Sequence, residues 1–124
     1  MKKILLVEDD YLDVESIRRI FKRAKIEHEL YVVHNGVDAI TLLTQEVNRL
    51  TPDIIILDIN MPKMSGIEFL GIIRNYYSLK NIKVYILTTS SEQYDKISTE
   101  NLGISGYIIK PLTLEHEFFR SNFN

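Results

Sequence analysis

The chain has 124 residues, 45% of them apolar and 26% charged, which suits one domain around one core and leaves no room for a second. Fifteen Lys and Arg against 17 Asp and Glu give a formal charge of −2, a poor match for nucleic acid or an anionic membrane, both of which reward a basic surface. With no Cys, disulfides, thiol catalysis and Cys-ligated zinc are excluded, and no apolar run approaches the roughly 20 residues that span a bilayer, so a cytoplasmic protein is expected.

In chain order, Ile4–Val7 is a short apolar run that Glu8-Asp9-Asp10 ends, a first strand. Val14, Ile17, Phe21 and Ala24 then fall on one face of a first helix. Leu30–Val33 is a second strand, and Asn35 can cap a second helix carrying Ala39, Ile40, Leu43, Val47 and Leu50. Ile54–Leu57 is a third strand, after which Ser65-Gly66 opens a third helix with Phe69, Leu70, Ile73 and Tyr77 on one side. Val84–Leu87 is a fourth. Ser90 and Gln93 have capping-box spacing for a fourth helix, whose face of Tyr94, Ile97 and Leu102 is the weakest. Tyr107–Ile109 is a fifth strand, and Thr113 can cap a fifth helix bearing Leu114 and Phe118. Continuous rather than alternating apolarity suits strands covered on both faces. The prediction is a flavodoxin-like (βα)5 fold, a five-stranded parallel sheet of order 2-1-3-4-5 with helices on both faces.

In such a sheet ligands bind beyond the carboxyl ends of the strands, where the strand order reverses. Here that point lies between the first and third strands, which end in Glu8-Asp9-Asp10 and Asp58; Thr88 closes the fourth and Lys110 the fifth. Two carboxylates about 4 Å apart repel by roughly 4 kcal/mol at an effective dielectric near 20, so three at one site require protons, a cation or both. Oxygen ligands without His or Cys favour a hard divalent ion, and Mg²⁺ suits a few carboxylates plus water. Asp9 and Asp10 can equally be plain caps of the first helix. Asp58 is harder to explain away, because it ends a strand that should be deeply buried, and a carboxylate there can attack phosphorus. Lys110, held before Pro111, can neutralise Asp58 at rest and pair with phosphate oxygens later, although a solvated lysine is the ordinary alternative. Thr88 can donate its hydroxyl, or simply reflect β propensity. His28, His34 and His116 share no ligand spacing, and no glycine-rich nucleotide motif is present.

Four blocks carry a resemblance: Ile4-Leu5-Leu6-Val7-Glu8-Asp9-Asp10, Leu57-Asp58-Ile59-Asn60-Met61-Pro62 with Gly66, Leu87-Thr88-Thr89, and Gly106-Tyr107-Ile108-Ile109-Lys110-Pro111. In order and spacing the whole chain resembles a receiver domain of two-component response regulators, and Val33 through Leu43 with Thr88–Ser91 is similar to stand-alone regulators associated with bacterial phytochromes. The resemblance implies that Asp58 accepts a phosphoryl group from a sensor histidine kinase or phosphotransfer protein. It implies a Mg²⁺ site of Glu8, Asp9, Asp58 and the Asn60 backbone carbonyl, with Asp9 a direct ligand and Glu8 acting more often through water. It assigns Thr88 and Lys110 to the phosphoryl oxygens, pairs Tyr107 with Thr88 as the switch, and makes the Lys110-Pro111 bond cis. The acidic pair reads Glu-Asp where many receivers have Asp-Asp.

What the resemblance implies is a signalling receiver that assists its own phosphorylation and dephosphorylation rather than an enzyme. With residues 1–124 filled by the receiver and no effector domain expected, output falls to an unknown protein target or to self-association. The expected surface is the face of the fourth helix, fifth strand and fifth helix, where Phe119 and Phe123 are more aromatic area than so short a helix buries. A phosphorylation-independent interaction domain would have lost Glu8, Asp9, Asp58, Thr88 or Lys110, and none is lost. A Mg²⁺-dependent aspartyl phosphatase would want an acid two residues after its nucleophile, where Asn60 stands, and a cap segment.

Overall fold

A computed structural model of the chain describes residues 1–59, 61, 63–90 and 102–123. Strands β1 (Lys2–Val7), β2 (His28–Val33), β3 (Ile54–Asp58), β4 (Lys83–Thr88) and β5 (Gly106–Ile109) form one parallel sheet in the order β2-β1-β3-β4-β5. Helices α1 (Tyr11–Ala24), α2 (Gly36–Thr44) and α3 (Gly66–Arg74) and a C-terminal helix (Glu117–Phe123) connect and cover it. The predicted strand order is the observed one. Residues 91–101 of the predicted fourth helix, with Tyr94, Ile97 and the Gln93 of its capping box, lie outside the described residues.

The pleat divides every central strand between two cores. Leu5, Val7, Ile55, Leu57, Val84 and Ile86 face Ala39, Leu43, Phe69, Leu70 and Ile73 of α2 and α3. Ile4, Leu6, Ile54, Ile56, Tyr85 and Leu87 face Val14, Ile17 and Phe21 of α1 and Phe118 and Phe119 of the C-terminal helix. Continuous apolarity in β1, β3 and β4 thus has a direct cause: both faces are covered. The edge strands β2 and β5 are only partly buried.

Local signals set the helix starts. Asp10 Oδ1 accepts the N–H groups of Leu12 and Asp13 at 2.8 and 3.2 Å, capping α1. Asn35 Oδ1 accepts from Asp38 N–H at 2.8 Å, and Ser65 with Glu68 closes a capping box on α3. Gly66 is required there, since a Cβ would sit 3.1 Å from Ile59 Cα, backbone that cannot yield cheaply.

The helix ends depart from expectation. Helix α2 stops at Thr44, leaving Val47 74% exposed, while Leu50 reaches the core from the following turn by donating its N–H to Leu42 O. Helix α3 stops at Arg74, so Tyr77 lies outside it and is 85% exposed. Thr113 is not the cap of the last helix. That helix begins later, where His116 Nδ1 accepts the Phe118 N–H at 3.0 Å. Phe119 and Phe123 are likewise not free surface: Phe119 is buried and both rings pack on Phe21 with centroids 5.6 and 6.3 Å away. Their contacts with Phe21 of α1 join residues about 100 positions apart, so they form only once the C-terminal helix is docked.

Arg74 was not singled out by sequence, yet its guanidinium donates to the carbonyls of Lys80, Ile82, Leu102 and Gly103. Burial pushes its pKa down. It ties the end of α3 to the approaches of β4 and β5.

Candidate phosphoryl and metal site

The carboxyl ends of β1 and β3 bring Glu8, Asp9 and Asp58 together, with one oxygen of each within 4.8 Å of the others. Glu8 and Asp58 are buried, at 0% and 5% exposure, and Asp9 is open to solvent. Backbone bonds hold the cluster in place: Glu8 N–H donates to Val33 O, and His34 Nδ1 donates to Glu8 O at 3.1 Å. With Asp10, Tyr11, Asp13, Thr89 and Lys110, the cluster lines a cleft of about 630 Å³.

Lys110 enters from the end of β5. Its Nζ lies 2.9 Å from Glu8 Oε1 and 2.6 Å from Asp13 Oδ2, and the Lys110-Pro111 bond is cis. Burial alone would lower its pKa, but hydrogen bonds to Asp13 and Glu8, and attraction from Asp58 and Glu8, raise it above the ordinary lysine value. The ammonium is therefore a permanent charge. Asp13 was missed at the sequence level, although it stands three residues after Asp10, in the first turn of the same helix. Thr88 is buried, and its hydroxyl donates to Ser90 O at 3.1 Å and accepts from Ser90 N–H at 3.2 Å. Thr89, not Thr88, lines the cleft. Tyr107 is half-buried on β5 and packs toward the core beneath α2 and α3. Asn60 lies outside the described residues.

The donor set fits a hard divalent cation. It offers carboxylate oxygens alone, one of them from the fully buried Glu8 carboxylate, whose charge, among the described residues, only Lys110 Nζ at 2.9 Å is shown to offset. Glu8 is pushed up to about 7, first by burial and then by its hydrogen bond with Asp58, against the lowering effect of Lys110. Because this value lies above the ordinary 4.5, the folded state holds the Glu8 proton more tightly than the unfolded chain does. That contribution is complete below pH 4.5 and lost as pH rises toward 7. In chelator, urea unfolding should show stability falling by about 2–3 kcal/mol across this window. A flat profile would mean that Glu8 is ionised throughout.

A sequence model of the response regulator receiver domain matches residues 4–117. The chain belongs to this family. The receiver is 37% identical over 120 residues to Response regulator Rcp1 of Synechocystis sp., covering 94% of this chain and 82% of that protein. It superposes on the bacteriophytochrome response regulator RtBRR with a TM-score of 0.85 at 35% identity, covering 93% of this chain and 72% of that one. The Mn²⁺-bound form of Rcp1 gives a TM-score of 0.78 at 35% identity, over 98% and 88% of the two chains. The phosphorylated cyanobacterial phytochrome response regulator RcpA gives 0.78 at 34%, over 97% and 87%. Receivers of this family are phosphorylation switches of two-component systems, partnered by a histidine kinase or phosphotransfer protein, and they bind a divalent metal. Among the described residues, no helix of this receiver is long and apolar enough to cross a membrane.

Proposed function

We propose that this receiver accepts a phosphoryl group on Asp58 in a Mg²⁺-dependent reaction and dephosphorylates through the same site. The observation that carries this is the convergence of Glu8, Asp9 and Asp58 within 4.8 Å, with Lys110 against their edge. An Asp58 oxygen attacks phosphorus in line, the bond to the donor's imidazole nitrogen breaks with a proton from solvent taken up by the leaving ring, and the products are an acyl phosphate and a neutral histidine. Lys110 offsets charge on the phosphoryl oxygens, and the Thr88 hydroxyl exchanges Ser90 for one of them. A Mg²⁺ ion would be held by Asp9, Asp58 and Glu8, with the Asn60 carbonyl as the family resemblance implies, and would supply further neutralisation of that charge. Water attack on phosphorus later returns the Asp58 carboxylate.

The added charge of about −1.5 to −2 is the signal. Movement of Thr88 leaves space that Tyr107 can take, which alters β5 and its neighbours. Ile109, 42% exposed on β5, offers apolar surface on that side for a protein target or a second copy. The likeness to the bacteriophytochrome response regulator RtBRR and the phytochrome response regulator RcpA supports a phytochrome-type sensor kinase as phosphodonor, and a kinase that draws on ATP supports a cytoplasmic setting.

Incubation with acetyl phosphate and Mg²⁺, followed by peptide mass spectrometry, should show one phosphate on the peptide bearing Asp58. A label elsewhere, or none, would overturn the proposal. Asp9→Ala should weaken Mg²⁺ binding about tenfold or more and slow labelling with it, while the melting temperature holds or rises because like charges are separated. Metal titration beside a thermal melt checks both halves.

A further inference from the structure

Lys110 leaves β5 with its ammonium already engaged by two acids of different kinds. Glu8 belongs to the carboxylate cluster, whereas Asp13 stands outside it in the first turn of α1. The Asp13 contact is the shorter, 2.6 Å against 2.9 Å. Side-chain exposure is 19% for Lys110 and 33% for Asp13, so the pair is partly shielded and should exceed an ordinary surface ion pair. Both residues line the acidic cleft. Both also line a smaller cleft of about 200 Å³ with Ser16, Ile17, Leu87, Pro111 and Leu112. The ion pair is the boundary the two clefts share.

Asp13 cannot follow a moving ammonium far. Its N–H is bound to Asp10 Oδ1, and its neighbour Val14 is buried against the sheet. We propose that Asp13 is a positioning residue that holds Lys110 back in the resting receiver, so that release of this pair limits how fast the phosphoryl group is taken up. This rests on the assignment of Asp58 and Lys110 made above. Lys110 can close on the phosphoryl oxygens only by giving up its shortest ion pair. The charge of about −1.5 to −2 that transfer places at Asp58 outweighs the single charge of Asp13, so the pair opens as transfer proceeds.

The test is the initial rate of labelling by acetyl phosphate at saturating Mg²⁺. Asp13→Asn, nearly isosteric, should label about three- to tenfold faster than the parent. Asp13→Glu should return toward the parental rate. In a Lys110→Ala background, Asp13→Asn should change the rate less than about twofold, because no ammonium remains to be released. An equal acceleration in both backgrounds would mean simple repulsion of the anionic donor by Asp13 and would overturn the proposal. So would an Asp13→Asn rate at or below the parent's while the parent itself labels. If the parent takes no label, the assignment of Asp58 fails first and the proposal falls with it. Thermal melts accompany each variant, and Asp13→Gln replaces Asp13→Asn in the same comparison if the helix start is loosened.

Discussion

Asp58→Asn should abolish phosphate incorporation from acetyl phosphate, by about three orders of magnitude or more, the scale of removing a covalent nucleophile. The amide keeps the shape of the side chain but offers no anionic oxygen to attack phosphorus. The fold should survive. Asp58 is 5% exposed at the end of β3, with β1 and β4 paired on either side, and an amide is cheaper to bury than a carboxylate. Repulsion within the cluster also falls, so the melting temperature should hold or rise. The substitution reaches Glu8 as well. Burial is the first cause of its raised pKa and the hydrogen bond with Asp58 the second, with the Asp58 charge a smaller contribution, and weakening of both should bring the Glu8 transition below about 7. Labelling at the parental rate would remove Asp58 from the mechanism, and no other single result would change the functional conclusion as much.

Phe118→Ala should have the largest effect on stability. The ring is fully buried and lies 4.9 Å from Tyr85 at 84°, 5.3 Å from Phe119, 5.9 Å from Phe21 and 6.0 Å from Phe123. Removing it leaves a cavity where β4, α1 and the C-terminal helix meet, at a cost of about 3–5 kcal/mol. That is a large part of the roughly 5–15 kcal/mol that holds a domain folded, and it should lower the melting temperature by about 10–20 °C. Below that temperature Asp58 should still label, because the site lies at the strand ends and not in this layer. A shift of only a degree or two would mean that the C-terminal helix is not docked as described.

Most of the site could be read from sequence because its residues sit where local chemistry is explicit. Asp58 ends an unbroken apolar run, Glu8-Asp9-Asp10 ends another, and Lys110 precedes a proline. Asp13 could not be read this way. Its sequence context is an acid in the first turn of a helix, where the helix dipole favours one anyway. Its partner stands 97 positions away, and only the packing of α1 beside β5 makes the pair. Thr88 and Thr89 present the same difficulty. The order of the residues does not say which hydroxyl faces the cleft and which is enclosed with Ser90.

The apolar period by itself determined the number of strands and their parallel sense, because a run apolar on both sides must be covered on both sides, whereas the order 2-1-3-4-5 was the usual one for five such units. Capping residues set where α1, α2 and α3 begin, since each cap bonds N–H groups within three residues. Only the tertiary structure decided where α2 and α3 stop, why Val47 and Tyr77 are exposed, and why Phe119 is buried and Phe123 half-buried. Helical period persists past a helix end, and an aromatic side chain has no intrinsic preference between an interface and a core. Packing against Phe21 of α1 and against Phe118 made that choice.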